Sequence, residues 1–370
     1  MAAARAIAAV LMLCGLARAD VAQALQGRLE GHVRFLADHL TVGDKSVRWE
    51  DLLYVVQEPA GRWLGAPQAV RLTNGEVWGA DILGLSAKKL QLRFALFGKR
   101  EIDPGLVAAL DFLPRLPADG ALKAKTLYRE EGEPIPGQLL WVDERRIAID
   151  SPLGVLTVPR QGVSRYVFSR GLPLGPKPNE DEVGLVDGTR LRGTLKPGAR
   201  LVELEHAVLG KLSIPEQAVQ FIRRHPPSAL YLAEVAFQSV DAAPLVSQPV
   251  PPEKVEYEPG AGPEGAQCPR GLRIWPKCTV RYGLARPAGQ KLAFRAAVGP
   301  VDGARGDVRV RISAAGKALF EKDFAPEDKA EALSLDVPQG DQLAIEVDFG
   351  ARMRFPCGIA LGEPHLVFGR

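Results

Sequence analysis

A pair of glycines, four or five residues apart, recurs four times in the first two thirds of the chain. The pairs are Gly27/Gly31, Gly75/Gly79, Gly132/Gly137 and Gly188/Gly193, and their second members lie 48 to 58 residues apart. Each pair precedes short apolar runs that alternate with polar residues at a period of two, the pattern of half-buried strands. Asn74-Gly75 and Asp187-Gly188 favour tight hairpin turns, because both residue types tolerate positive φ. The repeat therefore predicts four curled meanders of four or five short strands.

Composition supports strands joined by turns. The 370 residues include 38 glycines and 30 prolines, while the apolar share of 46% is ordinary for a folded chain. This argues against a helical bundle, a coiled coil or a disordered tail. The length predicts two or three domains.

The four repeats resemble the small SH3-like or LSm-like barrels that stand in tandem in exported bacterial proteins. We predict a short first β-repeat at 20–60 and barrel repeats at 61–120, 121–175 and 176–240.

Aromatic residues within the repeats allow two interpretations. SH3-like folds bind peptides through aromatic grooves, and the candidates for such a role are Trp49, Trp78, Trp141 and Tyr166. Because these residues lie inside the strand pattern, we favour a core or cross-strand role for them. The repeats are then a structural spacer.

The amino terminus has the features of an export signal. Arg5 precedes an uncharged apolar run of 12 residues, and Ala17-Arg18-Ala19 has the small-x-small form of a signal peptidase site. A spanning helix needs about 20 residues, so 1–19 is predicted to be a cleaved signal peptide and not an anchor. Cys14 raises the alternative of lipid attachment, which Leu13 before it disfavours. No later segment is long enough to span a membrane, and we expect a secreted or periplasmic protein.

Net charge argues against nucleic acid as a partner. The formal charge is +3, and removal of Arg5 and Arg18 with the signal lowers it to +1. A duplex-binding surface needs a clear cationic excess to release counterions.

Residues 241–265 form a predicted linker, rich in proline and without an apolar period. The segment from Gly260 to Gly265 matches G-x-G-x-x-G formally, but the dinucleotide-binding motif requires a strand before it and a helix after it. No cofactor is predicted.

The last segment, 266–370, contains about eight alternating strands in a hundred residues, which predicts a two-sheet sandwich. Its strands begin with Arg270-Gly271-Leu272, continue through Phe294 to Gly299 and a hairpin from Val308 to Phe320, and close with Glu363-Pro364-His365-Leu366-Val367. In this order the segment resembles the novel putative carbohydrate-binding module (NPCBM) family. The resemblance implies a galactose-binding-like jelly roll, and a glycan or cell-surface polysaccharide as ligand. The predicted fold class is therefore all-β, with tandem small SH3-like barrels followed by a jelly-roll sandwich.

Sugar binding needs an exposed aromatic face flanked by planar donors and acceptors. The candidate ligand-binding residues are Trp275, Arg273, Tyr282, Arg354 and His365. Trp275 stands where the family tends to have histidine, so it is the predicted stacking platform. The alternative is that Trp275 caps the core and the arginines are solvated.

Removal of Cys14 leaves three cysteines, Cys268, Cys278 and Cys357. In an oxidising compartment we expect one disulfide and one remaining thiol. Since the first and last strands of a jelly roll tend to lie side by side, we predict a bond between Cys278 and Cys357. The spacings contain no C-x-x-C, so no metal site is predicted.

Catalytic motifs are absent from the sequence. There is no G-x-S-x-G elbow, H-E-x-x-H helix or P-loop, and the five histidines are scattered. We therefore predict an exported, non-enzymatic glycan-binding protein. The first alternative is a structural module, or one that binds another exported protein, whose sandwich has lost sugar binding. The second is an accessory module of a glycoside hydrolase system.

Overall fold

The structure, a computed structural model, describes residues 20–24, 27–57, 68–113, 122–169, 180–243, 250–256, 270–284 and 289–369. Within these ranges the regular elements are antiparallel β-strands and three one-turn 3-10 helices, Trp49–Asp51, Pro104–Leu106 and Glu216–Ala218. The all-β prediction is confirmed. None of the described helices is long and apolar enough to cross a membrane. The predicted signal at 1–19, with Cys14, lies outside the described residues.

The chain divides into two compact units between Arg224 and His225. The strands of the first unit fall into the four repeats. The first repeat contains β1 (Val21–Ala24), β2 (Gly27–Glu30), β3 (Val33–Phe35), β4 (His39–Val42), β5 (Lys45–Arg48) and β6 (Leu52–Val56). The second contains β7 (Ala69–Leu72), β8 (Val77–Gly79), β9 (Asp81–Leu85), β10 (Leu90–Phe94), β11 (Gly98–Ile102) and β12 (Val107–Asp111). The third contains β13 (Thr126–Arg129), β14 (Ile135–Pro136), β15 (Gln138–Val142), β16 (Arg146–Ser151), β17 (Gly154–Pro159) and β18 (Val163–Val167). The fourth contains β19 (Asp181–Leu185), β20 (Arg190–Gly198), β21 (Leu201–His206), β22 (Gly210–Pro215) and β23 (Val219–Arg223).

Every repeat closes in the same way. Its first strand pairs with its last, as in β1 with β6, β7 with β12, β13 with β18 and β19 with β23. Between them lies a three-stranded meander, such as β9-β10-β11 or β15-β16-β17. The description of these repeats as SH3-like or LSm-like, and the domain bounds within the chain, stay predictions.

The recurring glycine pair has two different physical roles. In the fourth repeat, Gly188 has a φ of +84° in the turn between β19 and β20. Residues other than glycine rarely adopt this conformation. Gly193 lies against the neighbouring strand, where an added Cβ would be 2.3 Å from the Glu205 carbonyl oxygen. One glycine therefore makes the turn and the other permits close approach of two strands.

The buried carboxylate of Glu76 joins the second repeat to the fourth, because it bonds to both Trp78 and His206. Trp78, which is fully buried, donates from Nε1 to Glu76 Oε2 at 2.6 Å. The Nδ1 atom of His206 accepts hydrogen bonds from the backbone N–H groups of Val208 and Leu209, both at 3.0 Å. The hydrogen of this imidazole is therefore on Nε2, which donates to Glu76 Oε2 at 2.9 Å. Trp49 and Tyr166 are also buried, as a core role for the aromatics requires, and Trp141 is half-buried.

The second unit is a two-sheet sandwich. Its strands are β24 (Ala229–Tyr231), β25 (Ser239–Ala242), β26 (Glu253–Glu256), β27 (Arg270–Ile274), β28 (Cys278–Gly283), β29 (Leu292–Pro300), β30 (Val308–Ala314), β31 (Lys317–Phe324), β32 (Glu331–Asp336), β33 (Gln342–Phe349) and β34 (Ile359–Phe368). One sheet has the order β26-β27-β34-β29-β32, with β24 also on β34, and the other has the order β25-β28-β33-β30-β31. Apolar residues of both sheets, such as Phe294 and Ile345, form one core between them.

The predicted disulfide between Cys278 and Cys357 is wrong. Both residues are buried free thiols. The last strand, β34, pairs with β27 and not with β28, so Cys278 lies in the opposite sheet, where it pairs with Val347 of β33. Cys268, the third candidate, lies outside the described residues.

Both thiols are buried, so we expect them to react slowly in the folded protein. Desolvation raises the pKa of Cys278 to about 11 and also raises the pKa of Cys357. In a chain with Cys14 and Cys268 replaced by serine, we expect a thiol reagent at pH 8 to label the native protein at least about 100-fold more slowly than free cysteine. Unfolding in denaturant releases both thiols. Rapid labelling of the native protein, or an intact Cys278–Cys357 bond in unreduced peptides, would contradict this.

Candidate functional site

The structure separates the five predicted ligand-binding residues. Tyr282 lies in the core of the sandwich, where its hydroxyl donates to the Leu232 carbonyl oxygen at 3.2 Å and its ring packs on Phe237. Burial raises the pKa of Tyr282, so its hydroxyl stays a donor. Tyr282 is therefore a core residue, and its ring does not face a ligand.

His365 belongs to a buried polar network beside β24 and β34. Its Nδ1 atom donates to the Glu363 carbonyl oxygen at 2.6 Å, and its ring lies 5.7 Å from that of Tyr231. Close by in the same sheet, the Arg270 guanidinium contacts Glu234 at 2.6 Å, and the Arg270 backbone N–H donates to Glu363 Oε1 at 2.8 Å. His365 is 2% exposed, so its side chain is fixed within the protein.

The remaining three residues lie towards one end of the sandwich. Arg273 is half-buried in β27, opposite Ala360 of β34. Trp275 follows β27 directly, and Arg354 lies in the connection between β33 and β34. Of the five candidates, the structure therefore brings Trp275 and Arg354 together in the connections at this end, with Arg273 inside the adjoining sheet.

Four connections meet at this end, which we call the loop end. They are residues 275–277, 301–307, 325–330 and 350–358. Strand pairing places them together, since Ile359 at the start of β34 lies opposite both Ile274 at the end of β27 and Pro300 at the end of β29. Val308 at the start of β30 likewise lies opposite Phe349 at the end of β33.

Hydrogen bonds hold the connection 350–358 in place. Asp307 accepts from Arg352 Nε at 2.8 Å and from the Arg352 backbone N–H at 3.0 Å. Arg352 also contacts Glu327 at 3.2 Å, and its hydrogen bonds to these two acids raise the pKa of the guanidinium. The backbone N–H of Arg305 donates to the Pro356 carbonyl oxygen at 2.7 Å. A connection held at both its middle and its end presents its other side chains from a defined backbone.

Those side chains are unusually apolar for an exposed connection. Phe355 is 52% exposed and Met353 73% exposed. The Phe355 ring packs edge-on against Phe349, with 5.5 Å between the ring centroids. This contact orients the Phe355 ring while leaving about half of the residue accessible to a ligand.

Two arginines lie close to Phe355 along the backbone. Arg354 precedes Phe355, and Arg305 is bonded through its backbone to Pro356, which follows Phe355. Both side chains are exposed, and neither has a hydrogen-bonding or acidic partner among the described residues. Their guanidinium groups are planar, permanently charged donors for a ligand's oxygens.

Trp275 lies at the edge of this surface. It is half-buried, and its ring contacts Gly358, where an added Cβ would be 2.8 Å from Trp275 Cε3. The buried Nε1 atom has no hydrogen-bond partner within the described part of the chain. Trp275 therefore packs against the connection 350–358 with one part of its ring and leaves another part exposed.

The loop end has the chemistry of a binding surface. An aromatic face stacks on the C–H groups of a pyranose ring, and guanidinium groups bond to hydroxyl or acidic oxygens. No cluster of three or more potential metal ligands occurs among the described residues. Sequence reasoning missed Phe355 and Arg305. The available signal was Met353-Arg354-Phe355-Pro356, an apolar and basic run inside a predicted connection.

No family model and no curated protein matches this chain. Similar solved structures are carbohydrate-binding modules. The CBM51 module from Clostridium perfringens GH95, in complex with methyl-galactose, is 14% identical, with a TM-score of 0.31 over 38% of this chain and 99% of that one. Tandem CBM51 modules of a family 98 glycoside hydrolase from Streptococcus pneumoniae are 10% identical, with a TM-score of 0.31 over 90% of this chain and 87% of theirs. The carboxyl-terminal CBM6 module of LamC from Zobellia galactanivorans is 14% identical, with a TM-score of 0.23 over 38% of this chain and 98% of that one. These identities and TM-scores are too low to assign a family or a ligand.

Proposed function

We propose that this chain is an exported, non-enzymatic protein that binds glycans through the loop end of its carboxyl-terminal sandwich. The four β-repeats serve as the spacer that carries the sandwich. The observation behind the proposal is Phe355, a half-exposed aromatic ring on a hydrogen-bonded connection, with exposed Arg354 before it in the chain and exposed Arg305 bonded through its backbone to Pro356 after it.

The geometry of this connection favours binding a rigid, polar ligand. Asp307 and Glu327 hold Arg352, so the backbone around Phe355 loses little freedom when a ligand docks, and this lowers the entropic cost of binding. Phe355 supplies the stacking face that sugar rings use. Arg354 and Arg305, without acidic partners among the described residues, favour acidic sugars such as uronates or sulfated units over neutral ones.

A glycan array with the full mature chain tests this function. We expect binding to a subset of glycans, stronger for acidic than for neutral members, and weaker as salt concentration rises. Selective binding of neutral glycans would retain the function and remove the preference for acidic sugars. Absence of binding to every glycan would contradict the function and favour a structural or protein-interaction role.

Export is the second part of the proposal. Asp20, the first residue after the predicted cleavage site, is built into the first repeat, where its carboxylate accepts from the Val33 backbone N–H at 2.9 Å. We expect the chain recovered outside the cytoplasm to begin at Asp20, which amino-terminal sequencing determines. Recovery of a cytoplasmic form that retains Met1 would contradict export.

A further inference from the structure

The meander of each repeat ends in an edge strand. In the order of the sheets, β5, β11, β17 and β22 each lie at the end of a sheet or of its branch, with one strand neighbour among the described residues. An edge strand presents unpaired N–H and C=O groups that another strand can bind. The side chains along each edge therefore decide whether such pairing occurs.

Three of the four edges carry charges that oppose pairing. β5 has Lys45 and Arg48, β11 has a run from Lys99 to Glu101, and β22 has Lys211. Lysine on an edge strand is a common protection against pairing with another chain, because pairing would bury or crowd its charge.

The third repeat lacks this protection. From Ser151 to Pro159 the chain has no charged residue. Val155 follows the hairpin glycine of β17, at the position that Lys99 and Lys211 occupy in β11 and β22, and it is 65% exposed. Leu153, in the hairpin that precedes β17, is 90% exposed. Within the part of the chain that the structure describes, the β17 edge is therefore both open and apolar.

We propose that β17 pairs antiparallel with β17 of a second copy of this chain. The two faces of β17 restrict the register. Leu156 and Val158 are half-buried and face inward, whereas Val155, Thr157 and Pro159 are exposed. Pairing must join inward residues to inward residues, because a shift by one residue would turn the apolar set outward.

A twofold axis at Thr157 satisfies this requirement. Leu156 then lies opposite Val158 of the partner, Val155 opposite Pro159, and Thr157 opposite itself. The inward apolar face continues from one copy to the other. A second copy fits this edge because both strands are uncharged and apolar, so the pairing buries no charge and places no like charges opposite each other.

Sedimentation of the full chain over about a 100-fold range of concentration tests the pairing. We expect a monomer–dimer equilibrium. Val155→Lys should weaken the dimer by at least about 10-fold. The matched control is Ser213→Lys, which adds the same charge at an exposed position of β22 and should leave the dimer intact.

A cysteine substitution tests the register. Residues directly opposite in an antiparallel pair have Cα atoms about 4.5–5.5 Å apart, within the range that a disulfide spans. Thr157→Cys should therefore form a bond between the two copies, found by peptide mapping, whereas Val155→Cys, opposite Pro159, should not. A wild-type chain that stays monomeric at every concentration, or a dimer that persists in Val155→Lys, overturns the proposal. The open edge would then be available to a strand of a different protein.

Discussion

Replacement of Trp78 with alanine should lower the free energy of unfolding of the first unit by about 3–5 kcal/mol, the usual cost of removing a fully buried tryptophan. Trp78 is 0% exposed, and its ring packs against those of Phe94 and His206 at 5.8 and 5.4 Å. The substitution leaves a cavity where these rings meet. It also removes a hydrogen bond to Glu76, a carboxylate that is only 3% exposed.

Calorimetry of the full chain measures the effect, since the thermal transition that contains residues 20–224 should fall by roughly 10 °C. Trp141→Ala is the matched control. Trp141 is half-buried, with Arg146 over its ring at 5.8 Å, and its loss should cost about 1 kcal/mol. Equal losses of unfolding free energy in the two variants would contradict the role of Trp78 in packing the second repeat against the fourth.

Phe355→Ala should weaken glycan binding by roughly 30-fold, or about 2 kcal/mol, while the melting temperature of the sandwich changes little. The stacking face is lost, but the residue is 52% exposed, so its removal costs much less stability than removal of a fully buried aromatic residue. Isothermal titration with a glycan that the chain binds measures the affinity.

Two variants at the same position separate stacking from apolar contact. Phe355→Tyr keeps an aromatic face and should retain binding, whereas Phe355→Leu keeps an apolar side chain of similar reach and should lose most of it. An unchanged affinity for both Phe355→Ala and Phe355→Leu would contradict the assignment of Phe355 as the stacking residue.

Most strands could be predicted from the sequence because alternation is a local property. The runs from Val308 to Ile312 and from Gln342 to Asp348 alternate at a period of two, and both lie in observed strands, β30 and β33. The strand β26 lies inside the predicted linker, where proline conceals any period. β26 forms because it pairs with β27, and the residues of β26 alone do not indicate this pairing.

The site was less predictable because exposure depends on distant contacts. Alternation does not distinguish a core tyrosine from a surface one, so the sequence indicates Tyr282 as a candidate ligand residue although it lies in the core. The connection that carries Phe355 is held by a hydrogen bond between Arg352 and Asp307, which are 45 residues apart in sequence. Glu76 and His206 are 130 residues apart, and scattered histidines give no signal of such a pair.

Hydrogen exchange of the full mature chain, with and without a glycan that the array identifies, tests the central claim most directly. If the loop end binds the sugar, backbone amides in 301–307 and 350–358 should exchange more slowly in the complex, while those of the four repeats should not change. Protection confined to the repeats, or to the buried network around His365, would contradict a binding site at the loop end.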